Sequence, residues 1–238
     1  DCVGPSMECN IEPIKALVPP EDQKHARIDY VKRNLKETFG ATWYENWQKL
    51  IAGYLKEWGV NTIGAWSDLS FVHDQHFPYV VVLSSLGNSG YPDTDVKIFR
   101  DFPDVFAPTY ERRAKEYAKA IVPLVDDSFF IGYFMRNEPQ WAFEYEIDLA
   151  TELLKMTENS YTKQALIHSL EKKYENIKDF CAAWYLSGDS IKDVIEHTHT
   201  TEHLSLVAIQ DLQDFSREMI RQYVKVPAQA IRALDSNH

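Results

Sequence analysis

The chain has 238 residues and a formal net charge of -11 at pH 7, from 25 Lys and Arg against 36 Asp and Glu. This balance argues against a nucleic-acid partner, since phosphate backbones are recognised by basic patches that are not evident here. No segment is long and apolar enough to cross a bilayer, so no membrane partner is expected, and the length suits one large α/β domain.

The first ten residues predict a loop, because Gly4, Pro5 and Asn10 interrupt any regular pattern. Cys2 and Cys9 are close enough in that loop to form a disulfide, with free buried thiols as the alternative. The chain has no initiator Met and no signal peptide, which predicts a mature or excised product. The compartment is left open, with a secreted or periplasmic one favoured.

A helical pattern covers residues 20–39, and six apolar residues then recur at helical spacing: Trp43, Trp47, Ile51, Tyr54, Leu55 and Trp58. We expect this stripe to pack in a core. Gly59 is expected to end the helix as a C-cap. Residues 60–66 follow as a short β-branched strand, whose end carries Trp66 and Asp68 as candidate substrate-binding residues. Asp68 has a second interpretation, as a helix N-cap or turn residue.

Residues 78–85 form a continuous apolar run, which is typical of a strand covered on both faces. Residues 87–106 predict a long polar loop, and such loops are often functional. A helix is then expected from Pro108 to Val125, leading directly into the next strand.

That next strand is the aromatic run at residues 129–134, and it is followed by Asn137, Glu138 and Pro139. A carboxylate on a rigid strand end suits general acid catalysis. We expect Glu138 to be buried beside Phe134, Trp141 and Phe143, a setting in which a carboxyl group keeps its proton near neutral pH. The alternative is that Glu138 only caps the helix that begins after Pro139.

Helical patterns dominate after this strand, at residues 145–154, 162–184 and 204–234. Thr200, Thr201 and Glu202 are expected to start the last helix, and Pro227 to kink or interrupt it. His197, His199 and His203 are close together, but no carboxylate or Cys pattern accompanies them. A zinc site is therefore not predicted.

Alternating helices and strands predict a parallel sheet with covering helices. No G-x-G-x-x-G motif or P-loop is present, so a (β/α)8 TIM barrel is favoured over a nucleotide fold, and no cofactor is expected. The strands found account for about strands 2 to 4 of such a barrel, with a helical insertion at about residues 145–226. We therefore expect residues 1–238 to form one partial barrel domain.

Residues 131–139 resemble the fourth-strand signature of clan A glycoside hydrolases, which are (β/α)8 barrels. Residues 61–68 and 1–5 are similar to the second strand and an early loop of the beta-agarase family (family 50). Residues 170–177 with Ala183 and Trp184 resemble a helical segment of the family 42 beta-galactosidases. Residues 230–232 and 235–238 resemble the turn before the fifth strand. Arg136 departs from the Asp found there in many agarases.

This resemblance implies that Glu138 is the acid/base of a retaining hydrolase and that Asn137 holds the 2-hydroxyl group of a sugar. Trp141 is implied as a sugar-facing wall. The substrate implied is a β-linked, galactose-containing polysaccharide or oligosaccharide.

Retaining catalysis needs a second carboxylate about 5–5.5 Å from the first. In this clan the second carboxylate comes from the seventh strand, and no Asp or Glu here can be assigned to it. The sequence therefore predicts an N-terminal fragment whose partner is the missing C-terminal part of the barrel. The alternatives are a catalytically incompetent carbohydrate-binding half-barrel, and a helical scaffold in which Asn-Glu-Pro is incidental.

Overall fold

The computed structural model describes residues 30–86 and 90–238, and the chain divides into two compact units, residues 1–60 and 61–238. The predicted Cys2–Cys9 disulfide, the start of the first helix and the agarase-like residues 1–5 lie outside the described residues. This division does not decide the predicted domain organisation, which stays a prediction.

The described part of the first unit contains two helices, α1 (Tyr30–Phe39) and α2 (Trp43–Glu57), joined by a 3-10 turn. Gly59 adopts a φ of +73°, as expected for a residue that ends a helix. The predicted core stripe is only partly buried. Tyr54 stacks on Trp58, and both are exposed, Trp58 to 69%. The core interpretation is therefore wrong for these two side chains.

The elements of the second unit follow in this order: α3 (Leu69–Gln75), β1 (Tyr79–Val82), β2 (Lys97–Phe99), β3 (Phe102–Pro103), α4 (Pro108–Ala118), β4 (Phe130–Phe134), α5 (Leu149–Lys155), α6 (Tyr161–Lys173), α7 (Ile177–Trp184), α8 (Ile191–His197) and α9 (Leu206–Arg232). None of the helices in the described part of the chain combines the length and hydrophobicity that a membrane crossing requires.

Parallel pairing joins three stretches of the second unit. β1 lies beside β4, with Val82 opposite Phe134, and Ile63 forms a single parallel bridge to Tyr79 on the other side of β1. The predicted strand at residues 60–66 is thus reduced to one paired residue, since the chain turns at Trp66, which has a φ of +63°. The observed parallel sheet thus consists of two strands, with Ile63 bridged to the far side of β1.

The predicted long loop at residues 87–106 contains an antiparallel hairpin, formed by β2 and β3. These strands have three and two residues, too short to produce a periodic signal. Ile98 and Phe102 from the hairpin are buried in the same core as α5, α6, α7 and α9. Because of this packing, the hairpin belongs structurally to the helical region that follows β4.

The last helix begins later than predicted and continues through its proline. Ser205 caps α9, with its hydroxyl oxygen accepting the Ala208 N–H at 3.0 Å. Pro227 lies inside the helix and does not interrupt it. Since proline has no N–H, it leaves the Tyr223 carbonyl without a helical donor. The hydroxyls of Tyr91 and Tyr110 donate to that carbonyl instead, each at 2.7 Å.

Candidate functional site

A cavity of about 190 Å³ lies where β1 and β4 end. Because parallel strands carry their carboxyl ends on one edge of a sheet, the residues that follow β1 and β4 meet there. The lining residues are Ser84, Tyr91, Pro92, Asp93, Asp101, Arg136 and Asn137. The volume is below the range of about 300–1,000 Å³ typical of complete ligand sites. The cavity is therefore suited to form part of a larger site.

Of the candidates from sequence, Asn137 lines this cavity and Glu138 follows it directly. Glu138 is exposed and adopts a φ of +41°, a left-handed conformation that is unusual for a residue other than glycine. Its carboxylate has no hydrogen-bonding or ionic partner among the described residues. Strained backbone conformations of this kind recur at functional sites.

The expected burial of Glu138 is wrong for the described chain. Phe134 and Phe143, two of the side chains expected to cover it, are 58% and 61% exposed. The third, Trp141, packs edge-on against Phe102 and Tyr223 instead, with ring centroids 5.2 and 5.4 Å away. Trp141 is thus a half-buried part of the core around α9, and its role as a sugar-facing wall stays a prediction.

The capping alternative for Glu138 is also not observed. The 3-10 turn that follows it, Gln140–Phe143, has no capping side chain from its own N-terminal residue. Asp101 supplies the acceptors from the tip of the β2–β3 hairpin. Its carboxylate accepts the N–H of Gln140 at 3.1 Å and that of Trp141 at 2.9 Å. Glu138 is therefore not needed to cap this turn.

Arg136 connects the end of β4 to the surrounding elements. Its guanidinium forms an ion pair with Asp101, donates to the Tyr223 hydroxyl at 2.7 Å and lies 5.4 Å from the ring centroid of Tyr91. Burial alone would raise the pKa of Asp101. The backbone N–H groups of Gln140 and Trp141 and the Arg136 charge outweigh it and lower that pKa. Asp101 is consequently an anion held in place from two directions.

Trp66 and Asp68 follow the Ile63 bridge, at the same edge of the sheet as Asn137. Trp66 is 67% exposed. Asp68 caps α3, since its carboxylate accepts the N–H of Ser70 at 2.9 Å and that of Phe71 at 3.2 Å. This is the second of the two interpretations that the sequence allowed. Neither residue lines the cavity, and their part in substrate binding stays a prediction.

The histidines near the end of α8 are engaged with the backbone. His197 Nδ1 lies 2.8 Å from the Asp193 carbonyl oxygen, and His199 Nδ1 lies 3.3 Å from that of Leu154. Across residues 30–86 and 90–238, no group of three or more His, Cys, Asp or Glu is arranged to hold a metal ion.

Sequence reasoning missed Ser84, Tyr91, Asp93 and Asp101 as site residues. The available signal was the length and polarity of the predicted loop at residues 87–106, which contains three of the four. That signal indicates a functional segment but does not select a side chain. Only the hairpin, with its tip directed at the end of β4, singles out Asp101.

By sequence and by fold this chain resembles the beta-agarases, as residues 61–68 predicted, and these are glycoside hydrolases, the wider class that residues 131–139 predicted. Beta-agarase A from Vibrio sp. (strain JT0107) is 26% identical over 215 residues, which is 81% of this chain and 21% of that protein. No protein-family model matches the chain. The predicted link to family 42 beta-galactosidases is not shown and stays a prediction.

Three solved structures share the fold. They are an exo-beta-agarase (TM-score 0.68, 23% identity), the agarase AgWH50C (TM-score 0.70, 21% identity) and PfGH50B (TM-score 0.65, 20% identity). Each covers 86% of this chain, whereas this chain covers 30% of each. The chain thus spans about a fifth of the curated relative and under a third of these structures, so it corresponds to a partial domain.

Proposed function

We propose that this chain supplies the acid/base half of a retaining glycoside hydrolase acting on a β-linked, galactose-containing polysaccharide or oligosaccharide. The observation that carries the proposal is Glu138, an exposed carboxylate with no partner among the described residues, in a strained turn directly after the cavity residue Asn137. The resemblance to beta-agarases supports this assignment, because it covers most of the chain.

In this proposal, Glu138 donates a proton to the oxygen of the departing sugar and later removes a proton from the attacking water. The amide of Asn137 holds the 2-hydroxyl group of the sugar. The nucleophile is a second carboxylate about 5–5.5 Å from Glu138. We assign it to a part of the (β/α)8 barrel outside this chain, since both carboxylates in the cavity are already paired, Asp93 with Lys97 and Asp101 with Arg136.

The remainder of the barrel is the proposed partner of β4. Among the described residues, β4 pairs with β1 on one edge and with nothing on the other. Ile131 and Phe134 on β4 are 53% and 58% exposed. An apolar strand with a free edge is normally paired or covered in a folded protein. A further parallel strand there would also shield Glu138 from solvent, as an acid catalyst requires.

The test is Glu138→Gln in the intact native polypeptide, assayed on agarose-derived oligosaccharides. Removal of the general acid should lower kcat by about 10²–10⁴-fold. Glu146→Gln is the matched control, because Glu146 is a nearby exposed glutamate that also has a positive φ, +57°. Normal turnover by Glu138→Gln would refute the assignment. Sugar binding without turnover by the unmodified protein would favour the carbohydrate-binding half-barrel instead.

A further inference from the structure

The tip of the β2–β3 hairpin contacts the segment that follows Glu138. Arg100, at a φ of +48°, donates to the Gln140 carbonyl at 3.3 Å and forms an ion pair with Glu144. Asp101, the next residue, accepts the N–H groups of Gln140 and Trp141. The two residues of the hairpin turn therefore bind both kinds of backbone group in the 3-10 turn. Arg100 donates to a carbonyl oxygen, and Asp101 accepts two N–H groups.

The same hairpin tip also holds the segment that precedes Glu138. Arg136, two residues before it, forms an ion pair with Asp101, and both side chains are mostly buried, 24% and 22% exposed. The backbone just before Arg136 is fixed as well, because the Tyr117 hydroxyl donates to the Met135 carbonyl. One carboxylate, that of Asp101, is thus bound on both sides of the Asn137–Glu138 pair.

We call these contacts of Asp101, with Arg136 before Glu138 and with Gln140 and Trp141 after it, the bracket around Glu138. The bracket explains how Glu138 keeps a left-handed backbone. Such a conformation is unfavourable for a residue with a Cβ and persists only where the surroundings impose it. Pro139 adds to the restraint, since the right-handed helical region is disfavoured for the residue before a proline. The Arg136–Asp101 pair is close to neutral as a unit, so the bracket adds no net charge beside Glu138.

We propose that Asp101 is a positioning residue, which fixes the direction of the Glu138 carboxylate by binding Arg136 on one side of it and the Gln140 and Trp141 N–H groups on the other. The inference rests on the proposed role of Glu138 as proton donor. It also assigns Arg136 a task, as the ionic partner of Asp101. Asp101 acts here through Arg136 and the backbone N–H groups of Gln140 and Trp141.

Proton donation gives a readout that a purely structural role would not reproduce. Cleavage of a phenyl glycoside needs a proton on the leaving oxygen, whereas cleavage of a 2,4-dinitrophenyl glycoside does not, because dinitrophenolate is a stable anion. The value of kcat/KM reports the first chemical step for both substrates. A misdirected acid should therefore lower kcat/KM for the phenyl substrate selectively, and loss of folded protein should lower both equally.

The experiment compares Asp101→Ala with Asp95→Ala in the intact native polypeptide, using phenyl and 2,4-dinitrophenyl β-glycosides of an agarose-derived oligosaccharide. Asp95 is the matched control, since it also pairs with an arginine, Arg113 at 3.2 Å, but is 94% exposed. We expect Asp101→Ala to lose about 100-fold in kcat/KM on the phenyl substrate, the scale of a 1 Å misplacement, and to change little on the dinitrophenyl substrate. Asp95→Ala should match the unmodified protein on both.

Asp101→Asn serves where the alanine variant does not fold, because it keeps the size and one acceptor oxygen while losing the charge. It should lose less kcat/KM on the phenyl substrate than Asp101→Ala does, again with little change on the dinitrophenyl substrate. Its crystal structure should show φ of Glu138 leaving the positive region. Equal losses on both substrates, or none, would overturn the inference while Glu138→Gln remains selective. If Glu138→Gln shows no selectivity, the proposed function fails and the positioning role fails with it.

Discussion

The Tyr223 carbonyl in α9 depends on two tyrosine hydroxyls, because Pro227 has no N–H to donate. Both hydroxyl oxygens lie 2.7 Å from the carbonyl oxygen, and Tyr110 is fully buried. Burial raises the pKa of Tyr91 and of Tyr110, so both groups stay protonated and donate at any working pH. Replacing one or both by Phe removes these donors without creating a large cavity.

Each single variant, Tyr91→Phe or Tyr110→Phe, leaves the carbonyl one donor and should lower the free energy of unfolding by about 1 kcal/mol. The double variant leaves a buried carbonyl unsatisfied, which adds about 1–3 kcal/mol beyond the sum of the singles. For a unit of this size, 1 kcal/mol corresponds to about 2–4 °C in Tm. Pro227→Ala restores an N–H four residues after Tyr223, so the excess should disappear in that background.

The assay is thermal unfolding followed by circular dichroism, for the single, double and Pro227→Ala combinations. Tyr145→Phe is the control, since Tyr145 is 94% exposed and should leave Tm unchanged. The reasoning is refuted if the double variant equals the sum of the singles. It is also refuted if the excess loss persists with Ala at position 227.

Three further variants test buried or bound carboxylates. Asp104→Ala should lower the free energy of unfolding by about 3 kcal/mol, since it removes the acceptors of the first two N–H groups of α6. Thermal unfolding measures this loss, and a change in Tm as small as that of Tyr145→Phe would contradict it. Asp211→Ala should cost about 1–3 kcal/mol, because the buried Trp184 indole N–H, 2.9 Å away, loses its acceptor. Near-UV circular dichroism should report the disturbed tryptophan. Burial opposes the ionisation of Asp127, but the N–H groups that follow it and the Tyr79 hydroxyl lower its pKa from the ordinary value of an aspartate. The stabilisation by the Asp127 carboxylate is therefore present at neutral pH and is lost as the pH falls below about 4. In Asp127→Asn the free energy of unfolding should depend less on pH in that range. An unchanged pH dependence below pH 4 would contradict this.

Several features of this protein were readable from short stretches of sequence. The aromatic run before Asn137 forms β4, residues 78–85 contain β1, and Pro108 begins α4. Asp68 caps α3 within three residues of itself. The agarase resemblance rests on similarly local motifs, and the comparisons confirm it. Local periodicity and capping are determined by neighbours in the chain, so a linear sequence records them.

The bracket around Glu138 was decided by the tertiary structure alone. Asp101 and Arg136 are 35 positions apart, and Tyr91 and Tyr223 are 132 positions apart. Contacts over such separations leave no periodic trace, since they depend on how the hairpin, β4 and α9 pack together. Sequence alone therefore identified an Asn-Glu pair at a strand end. Packing determined that the Glu138 side chain is exposed, that its backbone is strained, and that the flanking segments are held by Asp101, a residue that no motif marked.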